Sequence, residues 1–182
     1  MNHETYWSKG TGMLGYTGEQ ERKLRAYCST AEEFKRYVPS YTQTWMSYSA
    51  KGLLIYAEVN HQTASGKYRY ERKSDDPDLW QDDVMEFFFR LPEQQGVNYQ
   101  LIVNSAGSKT FNANMKCVPS KEIEIVTRSP RNAGGGTAWE ILIPWRYFNL
   151  SAMPAAGSVW QCNIGREFHT YHQVLSWGKV DN

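Results

Sequence analysis

The stretch Val84-Met85-Glu86-Phe87-Phe88-Phe89-Arg90-Leu91 constrains the fold more than any other, because only an extended chain gives its pattern a physical meaning. In a strand, successive side chains leave on opposite faces. Met85, Phe87, Phe89 and Leu91 therefore share one wholly apolar face, while Val84, Glu86, Phe88 and Arg90 share the other. The first face belongs to a core. The second carries a carboxylate and a guanidinium where a half-buried strand meets water or a ligand. Just upstream lie Ser74-Asp75-Asp76-Pro77-Asp78, a turn-rich acidic segment, and then Leu79-Trp80-Gln81-Asp82-Asp83. An aromatic and several carboxylates thus gather at one end of a rigid strand, which makes this the expected functional corner.

The rest of the chain repeats the strand signature. Thr42 to Tyr48 and Leu53 to Asn60 are β-type runs separated by Ser49-Ala50-Lys51-Gly52, the spacing of a hairpin. Asn98 to Asn104 follows the central strand after a Pro92 to Gly96 turn, and consecutive strands joined this way pair by default. Gln100, Ile102 and Asn104 then fall on the Glu86 face. Shorter runs lie around Thr110 to Ala113 and from Glu122 to Arg128. Ser129 to Gly136 is a glycine-rich loop without the strand-to-helix context of a phosphate cradle. Trp139 to Ile143 is a strand stopped at Pro144, and Trp145 to Phe148 is long enough for a single helical turn. Val159 to Glu167 places Trp160, Cys162, Ile164 and Arg166 on one side and Gln161, Asn163, Gly165 and Glu167 on the other. Val174 to Trp177 is a last short apolar run.

Short strands with Gly and Pro turns and almost no amphipathic helix predict an all-β protein. The expected architecture is an antiparallel β-sandwich of jelly-roll or immunoglobulin-like type, with about 8–10 strands. Residues 1–41 read as a loop-rich N-terminal extension, in which Thr30 to Phe34 fits either a short helix capped by Ser29 or Thr30 or a solvated connector. Residues 42–182 form the sandwich.

Composition narrows the function. A formal net charge of +1, from 20 Lys plus Arg against 19 Asp plus Glu, gives no general attraction for nucleic acid or anionic lipid. The 3 cysteines, Cys28, Cys117 and Cys162, have no zinc-site spacing. Cys162, in a strand-like run, reads as a buried small apolar residue. No apolar run approaches the roughly 18 residues of a membrane span. The start, Met1-Asn2-His3-Glu4, lacks a signal-peptide pattern, so an extracellular or periplasmic location implies a leader already removed. The 7 Trp and 12 Tyr exceed what most cores need and fit a surface that recognises flat, partly apolar ligands.

Four segments, in order, carry a resemblance. They are Trp80-Gln81-Asp82-Asp83-Val84-Met85-Glu86-Phe87-Phe88, Tyr99-Gln100-Leu101-Ile102-Val103-Asn104, Trp139-Glu140-Ile141-Leu142-Ile143-Pro144-Trp145, and Gly157 to Arg166 with Ser176-Trp177. Together they resemble the family 9 carbohydrate-binding modules and their β-sandwich relatives over Thr42 to Trp177. The resemblance implies a non-catalytic sugar-binding domain with no required cofactor and structural calcium in some members. It also implies secretion or attachment to a glycoside hydrolase. Trp80 matches a sugar-stacking tryptophan and Glu86 a hydroxyl-binding glutamate; the family's arginine position is Ile102 here, and an amide position is Gly165.

The candidate carbohydrate-binding residues are Trp80, Glu86, Gln100, Asn163, Arg166 and Trp177. An aromatic face packs on the apolar face of a pyranose while a carboxylate accepts hydroxyl protons. A structural reading competes, in which Arg166 pairs with Glu86 inside the sheet. Asp82 and Asp83 suit either an oxygen-donor metal site or turn bonding. No catalytic pair of carboxylates, nucleophile elbow or P-loop is present. A structural or partner-binding domain beside a glycan-degrading enzyme is the main alternative. A haem-binding relative of the fold, using Met85, Met115, His169 or His172, is a further one.

Overall fold

The computed structural model describes residues 41–60, 69–128, 136–168 and 173–176. The Thr30 to Phe34 segment, most of the glycine-rich loop, Cys28, His169, His172 and Trp177 lie outside the described residues. Ten strands run in chain order: β1 (Tyr41–Ser49), β2 (Gly52–Asn60), β3 (Val84–Arg90), β4 (Tyr99–Asn104), β5 (Lys109–Ala113), β6 (Lys116–Val118), β7 (Glu124–Arg128), β8 (Gly136–Pro144), β9 (Gln161–Phe168) and β10 (Gln173–Ser176). The helical content among the described residues is two 3₁₀ turns, Leu79–Gln81 and Trp145–Phe148.

The strands form a 4-stranded sheet in the order β1-β2-β8-β7 and a 6-stranded sheet in the order β10-β9-β3-β4-β5-β6, with every pairing antiparallel. This is the expected all-β antiparallel sandwich. The chain changes sheet between β2 and β3, between β6 and β7, and between β8 and β9. Both predicted hairpins form. In the β1–β2 pair Ser49 stands opposite Gly52, and a Cβ at Gly52 would run into the carbonyl oxygen of Ile143 on β8. In the β3–β4 pair Glu86 stands opposite Ile102 and Phe88 opposite Gln100.

The core is built from the two inner faces. Met85, Phe87 and Phe89 of β3, with Tyr99, Leu101, Val103, Phe111 and Ile164 beside them, pack against Ile55, Ala57, Val59, Trp139, Ile141 and Ile143. Each such side chain contributes on the order of 1.5–3 kcal/mol when fully buried. Phe148 closes one end, with edge contacts to Phe89 at 5.5 Å, Tyr99 at 5.4 Å and Trp160 at 5.1 Å between ring centroids. Two core indoles are satisfied there: Trp139 Nε1 donates to the Asn104 carbonyl at 2.9 Å, and Trp145 Nε1 to the Ser49 carbonyl at 3.0 Å. Cys162 packs on the same cluster, and burial pushes its thiol up to about 12, so it behaves as an apolar filler.

Candidate functional site

The outer face of the six-stranded sheet is set by register. Across β9, β3, β4 and β5, one transverse row reads Gly165, Glu86, Ile102, Thr110, and the next reads Asn163, Phe88, Gln100, Asn112. A third row pairs Arg90 with Gln161. Every residue in these rows leaves the sheet on the side away from the core, because each is in step with Glu86 rather than with Phe87.

A strap formed by residues 69–83 covers one half of this face. Leu79, in the first 3₁₀ turn, is buried against Val84 and Ile102 in a small second apolar cluster. Thr110 Oγ1 donates to the Asp76 carbonyl at 2.9 Å, and Asp75 N–H donates to the Lys109 carbonyl at 2.8 Å. Two aspartates lock the strap. Asp82, at 0% exposure, accepts from Arg72 N–H at 3.0 Å, Arg72 Nη1 at 2.9 Å and Asn104 Nδ2 at 3.0 Å. Asp83 accepts from Arg69 N–H at 2.8 Å. Burial pushes the Asp82 carboxyl up, but the Arg72 N–H, the Asn104 amide and the Arg72 guanidinium together outweigh it and leave it below the usual carboxylate range.

The oxygens of the two aspartates serve as hydrogen-bond acceptors for Arg69, Arg72 and Asn104, which suits turn bonding rather than a calcium cage needing six to eight oxygens. Among the described residues, no group of three or more His, Cys, Asp or Glu is placed to hold a metal ion. Met85, one methionine of the haem alternative, is sealed in the core at the centre of the sheet.

Among the described residues the strap leaves the other half of the face uncovered, where Phe88, Gln100, Asn112 and Asn163 are half-buried, and Glu86 sits at its boundary. The residue is only 7% exposed. Gln100 Nε2 donates to Glu86 Oε1 at a long 3.4 Å, and Gln100 Oε1 in turn accepts from Asn112 Nδ2 at 3.0 Å. The two contacts form a relay running from β5 through β4 to β3. Burial, reinforced by the nearby Glu167 carboxylate, pushes Glu86 up to about 7, against a small opposing pull from the Gln100 amide. A carboxyl of this kind exchanges its proton near neutral pH and takes up hydroxyl donors readily when ionised.

The candidate residues divide clearly. Glu86, Gln100 and Asn163 share the open face, with Asn163 opposite Phe88 and its Oδ1 accepting from Ile164 N–H at 2.9 Å. Trp80 follows Leu79 in the 3₁₀ turn of the strap and is 43% exposed. Arg166 is set apart. It stands opposite Met85, in step with the core residues Cys162 and Ile164, is 1% exposed, and its Nη1 donates to Thr42 Oγ1 on β1 at 2.9 Å. It therefore ties the two sheets together from inside and does not face Glu86, so neither the expected sugar contact nor the alternative Glu86 pair is formed by it. Alternation already grouped Arg166 with the apolar residues of β9. Asn112 is the residue the sequence reading missed; its alternation with Phe111 was the available signal.

The fold and this face define a two-layer antiparallel β protein with one open, amide-lined outer surface. No family model matches the chain, and no curated protein matches it. Among solved structures it is similar to a "putative carbohydrate-binding protein" from Bacteroides uniformis ATCC 8492, with a TM-score of 0.60 and 18% identity, covering 79% of this chain and 71% of that one. At that identity the likeness is one of fold.

Proposed function

We propose that this chain is a non-catalytic carbohydrate-binding domain in which Trp80 offers an aromatic platform and Glu86, Gln100 and Asn163 bind hydroxyls. The observation that carries the reading is Glu86: a nearly buried acidic residue on the outer face of a sheet, bonded by the Gln100 amide, in a protein whose strap carries the exposed Trp80. Such a group serves no core, and a polyol supplies the donors it lacks. The name "putative carbohydrate-binding protein" carried by the Bacteroides uniformis protein, whose fold is similar, supports the same direction, as does the ordered resemblance to the family 9 modules. The binding needs no cofactor. The reading carries two corollaries: a location outside the cytoplasm, and a glycan-degrading enzyme as companion. Among the described residues no helix is long and apolar enough to cross a membrane.

The competing reading is a structural or partner-binding sandwich. The strap favours it, because Val84, Ile102 and Thr110 on the outer face are buried beneath that segment. Titration against a panel of mono- and oligosaccharides separates the two. Saturable binding that weakens at least tenfold in Trp80→Ala supports the carbohydrate reading. Absence of binding at millimolar sugar, or unchanged affinity in the variant, overturns the site.

A further inference from the structure

Arg90 differs from the other exposed or half-exposed arginines among the described residues. Arg69, Arg72, Arg128 and Arg146 each have a carboxylate partner, in Glu71, Asp82, Glu140 and Glu122 respectively. Arg90 is exposed on the same outer face as Glu86 and Phe88, and its contacts are to an amide: Nε and Nη2 both donate to Asn98 Oδ1, at 2.9 and 2.7 Å. Two donors on one acceptor fix the plane of the guanidinium. Among the described residues Nη1 carries no hydrogen bond and no carboxylate pairs with the oriented charge. Two residues back along β3, about 7 Å away, the half-buried ring of Phe88 lies between Asn163 and Gln100. Gln100 is itself held by Asn112.

We infer that Phe88 and Arg90 form a subsite for an acidic sugar, a uronate unit of an oligosaccharide. The ring face of the sugar packs on Phe88, its carboxylate meets the Nη1 edge of Arg90, and its hydroxyls meet the amides of Gln100 and Asn112. Charge complementarity selects the occupant. The two rows through Phe88 and Arg90 carry one cation and no carboxylate, and the flanking Glu86 is the group that burial keeps easily protonated. A neutral sugar would leave the oriented guanidinium unanswered, whereas a carboxylate makes the stronger, charge-assisted bond. The inference rests on the carbohydrate reading and adds the sugar class to it.

The test uses a free-acid oligogalacturonide, its methyl ester and a neutral cello-oligosaccharide of equal length, titrated against the full chain and Arg90→Gln. Because Arg90 lies on the surface, the variant is expected to melt with the parent chain, and a thermal scan checks this. The free acid should bind about tenfold tighter than its ester, the size expected for one charge-assisted contact. That advantage should disappear in Arg90→Gln and shrink in raised salt. Equal binding of acid and ester, or an acid preference that survives Arg90→Gln, overturns the uronate subsite. Binding of the neutral sugar that depends on Trp80 and is as tight as that of the free acid overturns it while sparing the carbohydrate reading. If none of the three glycans binds, both fall.

Discussion

Glu86 and Gly165 stand directly opposite each other on β3 and β9, and a Cβ at Gly165 would lie 3.5 Å from both Glu86 Cβ and Oε2. That distance is ordinary van der Waals contact, so a Cβ fits there. The glycine leaves the Oε2 side of the carboxylate without a neighbouring donor from β9. Gly165→Asn should place an amide beside Oε2 and lower the Glu86 pKa from about 7 toward the ordinary range. A carboxyl-carbon NMR titration of the variant checks this. An unchanged midpoint would show that the amide points elsewhere.

The same carboxyl makes stability depend on pH. Its folded pKa, about 7, lies above the ordinary value of 4.5, so between those values the folded state holds a proton that the unfolded chain has lost. The contribution is full below about 4.5, declines as pH rises, and is gone above 7. At about 1.36 kcal/mol per pH unit the total is roughly 3 kcal/mol at most. Glu86→Gln should flatten this part of the profile in chemical denaturation at pH 5 and 8. Sugar hydroxyls favour the ionised acid, so affinity for a neutral sugar should rise with pH through the same window.

Asp82 is the strap's anchor. Asp82→Asn keeps the shape but turns one acceptor oxygen into a donor facing Arg72 and Asn104, and it leaves the Arg72 guanidinium without its carboxylate partner, with the Gln81 amide oxygen remaining. Losses of this kind cost about 2–4 kcal/mol, and a lowered melting temperature in thermal unfolding is the readout. The depressed folded pKa of Asp82 means its contribution is present above the ordinary value of 3.8 and is lost as pH falls through the folded value. With both aspartates engaged by Arg69 and Arg72, EDTA should leave the melting temperature unchanged.

The tryptophans should separate binding from stability. Trp80, 43% exposed on the strap, is expected to lose affinity on substitution by alanine with little change in melting temperature. Trp139→Ala removes a buried ring and its bond to the Asn104 carbonyl, and should cost about 3–5 kcal/mol. Parallel thermal scans and sugar titrations of the two variants test the division.

What the sequence by itself determined was local. Alternation through Met85, Phe87 and Phe89 named the core face of β3, and the Pro92 to Gly96 turn fixed β4 as its neighbour. From these the common face of Glu86, Gln100 and Ile102 followed, because a strand has only two sides. Parity along β9 likewise set Arg166 apart from Asn163 and Gly165. What only the tertiary structure decided was which strands meet and what covers them. The β3–β9 pairing brings Gly165 beside Glu86, and the sandwich encloses Arg166 against Thr42. The strap seals Val84 and Ile102 while leaving Phe88 and Gln100 open. These contacts join residues far apart in the chain, and no periodicity within a single segment encodes them.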